Sequence, residues 1–179
     1  MLSEHLPITL DVRKAAVRGV SIQGVLKPLD LQRFRTLLAN DEGLIQADLS
    51  FSRDEENRHL IHLALQAEVV VTCQRCLQPL SKSLACESTL AAVWTDEQAT
   101  HLPRHLEALI VEGEGCKLWD VVEDELILAL PAVSYHETEE CKQILARFNA
   151  EQAPAEEASP VEKPNPFNVL AQLKPGSNT

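Results

Sequence analysis

Three consecutive stretches of period-two alternation constrain this chain more than any other feature of its sequence. In residues 44–51, Ile45, Ala47, Leu49 and Phe51 alternate with Gln46, Asp48 and Ser50. In residues 58–72, Ile61, Leu63, Leu65, Ala67, Val69 and Val71 hold one face throughout, and in residues 84–94 Leu84, Cys86, Leu90, Ala92 and Trp94 do the same. A repeat of two is the signature of strands with one buried and one wet face. The connections, SRDEEN and CQRCLQP, are short and polar, and strands joined by short turns pair antiparallel. The sequence therefore predicts an antiparallel β meander, with CQRC in the turn between its two longest strands.

Helices and minor strands fit around that meander. An opening segment, residues 8–12, is followed by RKAAVRG, a helical turn closed by Gly19, and then by residues 20–26, which read as a short strand. In PLDLQRFRTLLAN, Leu31, Phe34, Leu37 and Leu38 fall on one helical face and Pro28 and Asp30 suit a first turn, which predicts a helix over residues 29–39 with Arg33 and Arg35 pointing outward. Residues 95–104 read as a loop, and 106–111 as a further strand before the GEG turn. Strong helix formers up to Pro131 predict a well-buried helix over 118–130. The fold class is α+β: an antiparallel β meander with two main helices and a flexible acidic C-terminal tail. Residues 1–149 form the domain. Residues 150–179 are a Pro, Ala and Glu linker ending in NPFNVLAQL, where Phe167, Val169, Leu170 and Leu173 make a short amphipathic anchor for a partner groove or for this domain itself.

A chain of 179 residues can bury a sizeable core. No apolar run approaches the ~20 residues of a membrane span, and MLSEHLPITL lacks the basic start and apolar stretch of a secretory leader. These features predict a cytoplasmic protein. Sixteen basic and 27 acidic residues give a net charge of −11, which argues against simple coating of nucleic acid or anionic lipid. All of the acidic surplus lies in residues 83–179. Near the other end, Arg13, Lys14, Arg18, Arg33 and Arg35 face little countercharge, and they are the candidates for phosphate contact. The alternative is that they only keep that surface soluble.

The five cysteines, Cys73, Cys76, Cys86, Cys116 and Cys141, are too few and too unevenly spaced for a disulfide scaffold. CQRC places two thiols on one tight turn, the geometry of a zinc knuckle. Two further ligands are needed, and His136 with Cys141 in SYHETEEC offers them. Cys73, Cys76, His136 and Cys141 are thus candidate Zn²⁺ ligands; the alternatives are small buried thiols and a coincidental second pair. A thiol–disulfide enzyme would carry CxxC at a helix N-terminus, whereas strands flank it here.

The remaining chemistry-bearing residues offer no constellation. Pro103 keeps His101 and His105 off a shared helix face, and His59 and His62 point to opposite faces of one strand. Cys86 and Cys116 read as packing residues, and the run Glu123, Asp124, Glu125 as a solvated helix stripe with no nucleophile nearby. No GxGxxG, GxxxxGK[ST] or GxSxG occurs. No catalytic residue and no small-molecule substrate is predicted.

Five blocks carry a resemblance. LPITLDVRKAA, TCQRCLQPL, DEQA, VVEDELILALPAVSYHETEEC and KPNPFNVLAQLK, in this order and spacing, resemble the bacterial YceD family, the large ribosomal RNA subunit accumulation proteins. The resemblance implies a non-enzymatic factor in the synthesis, processing or stability of 23S rRNA, with 23S rRNA or pre-50S components as partners. The main alternative is a carrier for a basic ribosomal protein, acting on the RNA indirectly. It carries over for Cys73 and Cys76; other branches have a fuller cysteine cluster after the LALP helix, where this chain offers only His136 and Cys141.

Overall fold

The computed structural model describes residues 5–113 and 115–151, apart from the side chains of residues 145 and 147–151. Two units divide the chain, Met1–Leu145 and Ala146–Thr179, and the description below concerns the first.

The predicted meander is present. Strands β1 (Thr9–Leu10) and β2 (Ser21–Leu26) flank helix α1 (Val12–Arg18), and β3 (Gly43–Arg53), β4 (His59–Thr72) and β5 (Pro79–Val93) follow. Strands β2 to β5 pair antiparallel in sequence order, with Leu49 opposite Leu63 and Leu65 opposite Cys86. The alternation does what a period of two requires: Ile45, Ala47, Leu49 and Phe51 are buried on one face with Ile61, Leu63, Leu65, Ala67, Val69 and Val71. The opposite face stays open and carries Asp48, His62, Gln66, Glu68 and Glu87.

The fifth strand departs from the expected pattern. Residues 95–104, read as a loop, contain the short helix α2 (Asp96–Thr100), whose first turn is capped by Thr95 Oγ1 accepting from the Gln98 N–H at 3.3 Å. This crossover brings β6 (Glu107–Ile110) alongside β5 in parallel, completing a sheet of order β2-β3-β4-β5-β6. A second small sheet joins β1 to β7 (Cys116–Lys117) and so ties the N-terminal segment to the start of α3 (Leu118–Ala129). The Trp119 indole N–H reinforces it by donating to the Leu6 carbonyl at 2.9 Å. Leu6 also crosses β2 so closely that a Cβ on Gly24 would sit 2.9 Å from its backbone, so only glycine fits there.

The core lies between the sheet and a layer made by α1, α3 and the segment between β2 and β3. Asp11 caps α1 by accepting from the Lys14 N–H, and Gly19 ends it in the left-handed region at φ 63°. The helix predicted over 29–39 is instead two 3₁₀ turns, Pro28–Asp30 and Phe34–Leu37, separated by extended backbone at Leu31. Its predicted apolar face is partly real, since Leu31 and Phe34 are buried, but Leu37 is half exposed. The cause is Glu123 on α3. Its carboxylate accepts from the N–H groups of Arg33 (2.6 Å) and Phe34 (3.0 Å), donors that a continuous helix would have spent on its own carbonyls.

The acidic run on α3 is therefore not a solvated stripe. Glu123 and Glu125 are both buried, the latter accepting from the Ser88 hydroxyl at 2.9 Å, and only Asp124 lies out in solvent. Beyond Leu130 the chain turns toward the β4–β5 connection and enters α4 (Glu139–Glu151), a helix that the sequence reading did not assign.

Candidate metal centre

The connection between β4 and β5 is a tight knuckle. The Leu77 N–H donates to the Cys73 carbonyl and the Cys73 N–H to the Gln78 carbonyl, each at 2.9 Å, which turns both thiols of CQRC inward. The turn requires Leu77 to adopt φ 59°, a conformation that costs a side chain with a Cβ roughly 1 kcal/mol. Leu77 is also 71% exposed, so its side chain returns little by packing. Replacing Leu77 with Gly is expected to raise stability by about 1 kcal/mol in denaturant titration; a loss of stability would show that the Leu77 side chain has a packing role.

The segment after α3 is laid against this knuckle by polar contacts from the backbone and side chain of one residue, Gln74. The Gln74 N–H donates to the Ser134 carbonyl at 3.0 Å, its side-chain carbonyl accepts from the Ser134 N–H at 3.2 Å, and its amide reaches the Ala132 carbonyl. Arg75 stacks over the Tyr135 ring at 4.8 Å. His136 follows with its Nε2 3.0 Å from the Pro79 carbonyl, which assigns the proton to Nε2 and leaves the Nδ1 lone pair facing Cys76 Sγ at 3.3 Å. The first turn of α4 supplies Cys141, whose Sγ is 3.6 Å from Cys73 Sγ.

The structure thus gathers all four residues singled out from the sequence. Their ligand atoms lie within 4.8 Å of one another, and all three cysteines are buried. Four ligands about 2.3 Å from one tetrahedral ion stand about 3.8 Å apart, so the Cys73–Cys141 and Cys76–His136 pairs, at 3.6 and 3.3 Å, are already near ligation distance. Leu80 packs on the sulfur cluster and shields it. A Cys₃His group of this size could hold a metal ion.

Electrostatics give the same reading. Burial works against ionisation of Cys73, yet hydrogen bonds from the N–H groups of Cys76, His136 and Arg75 outweigh it and bring the thiol down to about 5. Cys141 goes the other way, raised by burial and by its contacts with Cys76 and Cys73. Clustered buried thiols cannot all ionise unaided. A divalent cation among them reverses that preference, which is why such clusters accompany metals. As a redox pair the site is poorly placed, because Cys73 is fully buried and CxxC opens no helix.

Other predicted residues are dispersed. Arg13, Lys14 and Arg18 share α1, with the Lys14 ammonium 2.9 Å from Asp11 and the Arg13 guanidinium 3.8 Å from the centre of the Trp94 ring. Arg33 does not point to solvent alone: it forms ion pairs with Glu123 (2.9 Å) and Asp124 (2.8 Å), residues far along the chain. Arg35 is held by Asp41 in the same way. Their charge is locally unopposed only along the sequence. Cys86 and Cys116 are packing residues as expected, and Cys116 is pushed up to about 11 by burial and by Asp120. Phe167, Val169, Leu170 and Leu173 lie outside the described residues.

Sequence reasoning missed Gln74 and Glu123, the side chains that position the knuckle partner and the 3₁₀ turn. Nothing in the local pattern marks either, because each acts on a segment remote in sequence.

Comparison with known proteins adds to this geometry. The family described as Large ribosomal RNA subunit accumulation protein YceD matches residues 61–174. A curated relative from Haemophilus influenzae (strain ATCC 51907 / DSM 11121 / KW20 / Rd), named Large ribosomal RNA subunit accumulation protein YceD, is 36% identical over 175 residues, covering 97% of this chain and 99% of that protein. No solved structure matches the chain.

Proposed function

Because the chain belongs to the YceD family of large ribosomal RNA subunit accumulation proteins, we propose that it is a non-enzymatic cytoplasmic factor supporting synthesis, processing or stability of 23S rRNA during large-subunit assembly. The observation that carries this reading is identity of 36% sustained over 97% of this chain and 99% of the relative. Among the described residues no helix is long and apolar enough to cross a membrane.

Within this proposal Zn²⁺ sits on Cys73, Cys76, His136 and Cys141 and has a structural role. When bound it would fix the knuckle to the segment entering α4. Residues 1–149 act as the folded body and 150–179 as a tail whose Phe167, Val169, Leu170 and Leu173 anchor a partner.

In a host lacking its own family member, the 23S to 16S rRNA ratio is expected to be low, and expression of this chain to restore it. A ratio unmoved by expression of the intact, folded protein overturns the reading. A second reading, the carrier for a basic ribosomal protein, is favoured by one observation. The open face of the sheet presents Asp48, Glu68 and Glu87, and no lysine or arginine stands among the outward positions of β2 to β5. Capture of a basic large-subunit protein that competes with RNA would favour it.

A further inference from the structure

One corner of the molecule combines arginine, histidine and tryptophan in a way the proposed function does not use. Where α1 stops covering the inner face of the sheet, Arg53 at the end of β3 stands opposite His59 at the start of β4, and His59 in turn stands opposite Ala92, two residues before Trp94. The His59 ring meets Trp94 edge-on, with centroids 5.5 Å apart at 87°. From α1, Arg13 lays its guanidinium over the Trp94 ring at 3.8 Å. A cavity of about 280 Å³ opens beside them, lined by Asp11, Arg13, Lys14, Trp94, Val111 and Gly113.

Positive charge here is not cancelled as it is elsewhere on this end of the protein. Of the acids nearest in sequence, Asp54 and Glu56 are taken by Arg58 at 2.6 and 3.0 Å and Asp11 by Lys14 at 2.9 Å, while Glu55 is exposed. Among the described residues neither Arg13 nor Arg53 forms an ion pair, whereas Arg33 and Arg35 do. His59 senses the imbalance: burial and then the charges of Arg53 and Arg13 lower its pKa, with no acid raising it.

We propose that Arg13, Arg53 and His59 form a binding site for the phosphodiester backbone of single-stranded RNA, with Trp94 as the positioning residue that holds Arg13. The proposal rests on the rRNA reading above and names the surface through which it would operate. A guanidinium stacked on an indole is fixed in orientation while its N–H groups remain free at the rim, where they can fork onto phosphate oxygens. The site is small. Asp96 and Glu97 come two and three residues after Trp94, and the open sheet face is acidic, so a strand is gripped over a few phosphates and kept off the rest of the surface. A flexible single strand can bend into such a site, while a rigid duplex presents its phosphates along a longer track.

The test uses the full chain and a fluorescein-labelled oligouridine of about 12 nucleotides, with duplex RNA of the same length as comparison. Arg13→Ala with Arg53→Ala is expected to weaken oligouridine binding at least tenfold and to reduce the slope of log affinity against log salt by about 1.4, the value for two lost phosphate contacts on a single strand. Arg35→Ala, whose charge is already paired, is expected to leave both quantities unchanged. Trp94→Ala should weaken binding while Trp94→Phe restores most of it, which separates positioning from a general effect on folding; thermal melts of each variant check the fold. Unchanged affinity and slope in the double variant overturn the proposal. Preference for duplex overturns it as well, as does a double variant that keeps RNA affinity but loses a basic protein partner. A wild-type chain that restores 23S rRNA without binding oligouridine removes this site and leaves the proposed function standing.

Discussion

Full-length protein purified under reducing conditions is expected to contain one zinc per chain, and Cys76→Ser to lose it with a large fall in thermal stability. Cys76 lies opposite the Nδ1 of His136, so its removal breaks one edge of a tetrahedron and leaves three ligands for the ion. Structural zinc sites in small peptides are worth about 10 kcal/mol or more of binding free energy, all of it expressed as folding. This domain has a separate core, so part of that free energy appears as affinity. An ion bound a thousandfold above its dissociation constant still adds about 4 kcal/mol to stability. Hydrogen exchange should localise the loss to residues 73–78 and 132–141, the segments that Gln74 and His136 bridge. Cys86→Ser, at a partly buried position on β5 packed against the core, serves as a control that keeps zinc. Absence of stoichiometric metal in reduced wild-type protein would sink the assignment.

Glu123→Ala is expected to cost about 3 kcal/mol, a large effect for a single polar residue. The substitution strips an acceptor from the N–H groups of Arg33 and Phe34 and from the Arg33 guanidinium at 2.9 Å. Each buried donor left unsatisfied costs about 1–3 kcal/mol. Phe34, one of the largest fully buried side chains, is positioned by the turn that Glu123 holds. Glu123→Gln keeps an acceptor and should cost less. Burial opposes ionisation of Glu123, but the Phe34 N–H, the Arg33 side chain and the Arg33 N–H prevail and lower its pKa from the ordinary value of 4.5. The sign follows from linkage: a depressed carboxylate stabilises fully above its unfolded pKa, and that stabilisation is lost as pH falls through the folded value. The gap between wild type and Glu123→Gln in denaturant midpoint should therefore be constant at neutral pH and narrow in acid, as the pH falls below the ordinary 4.5 and through the depressed folded value. A gap that persists in acid would show that the carboxylate charge contributes nothing.

The parts of this fold that could be read from the chain are those where the physical cause is local. Alternation around Leu63 and Leu65 specifies both the strand and its buried face, because a slip of one residue would expose every apolar side chain. The metal candidates were legible because few side chains can ligate at all, and CQRC fixes two of them on one turn. Legibility fails where a distant group settles the outcome. The spacing of Leu31, Phe34 and Leu37 is sound evidence for a helix, yet Glu123, remote in the chain, takes the N–H groups of Arg33 and Phe34 and divides the segment into two 3₁₀ turns. The same carboxylate makes Arg33 look unpaired in sequence and paired in space. Parallel addition of β6 was equally hidden, since a four-residue strand has no signature of its partner's direction.

The two outer strands of the sheet bear on self-association. Any sheet that ends in unpaired N–H and C=O groups is a template for a strand from another molecule. Here β2 is shielded by the chain's own beginning, where His5 bridges to Val25 and Leu6 presses on Gly24. At the other side β6 is only four residues long and opens with the charged, exposed Glu107. The long, apolar β3 and β4 stay in the interior of the sheet, β3 pairing with β2 over Ile45–Ser50 and with β4 along its whole length, and β4 pairing with β5 along its whole length.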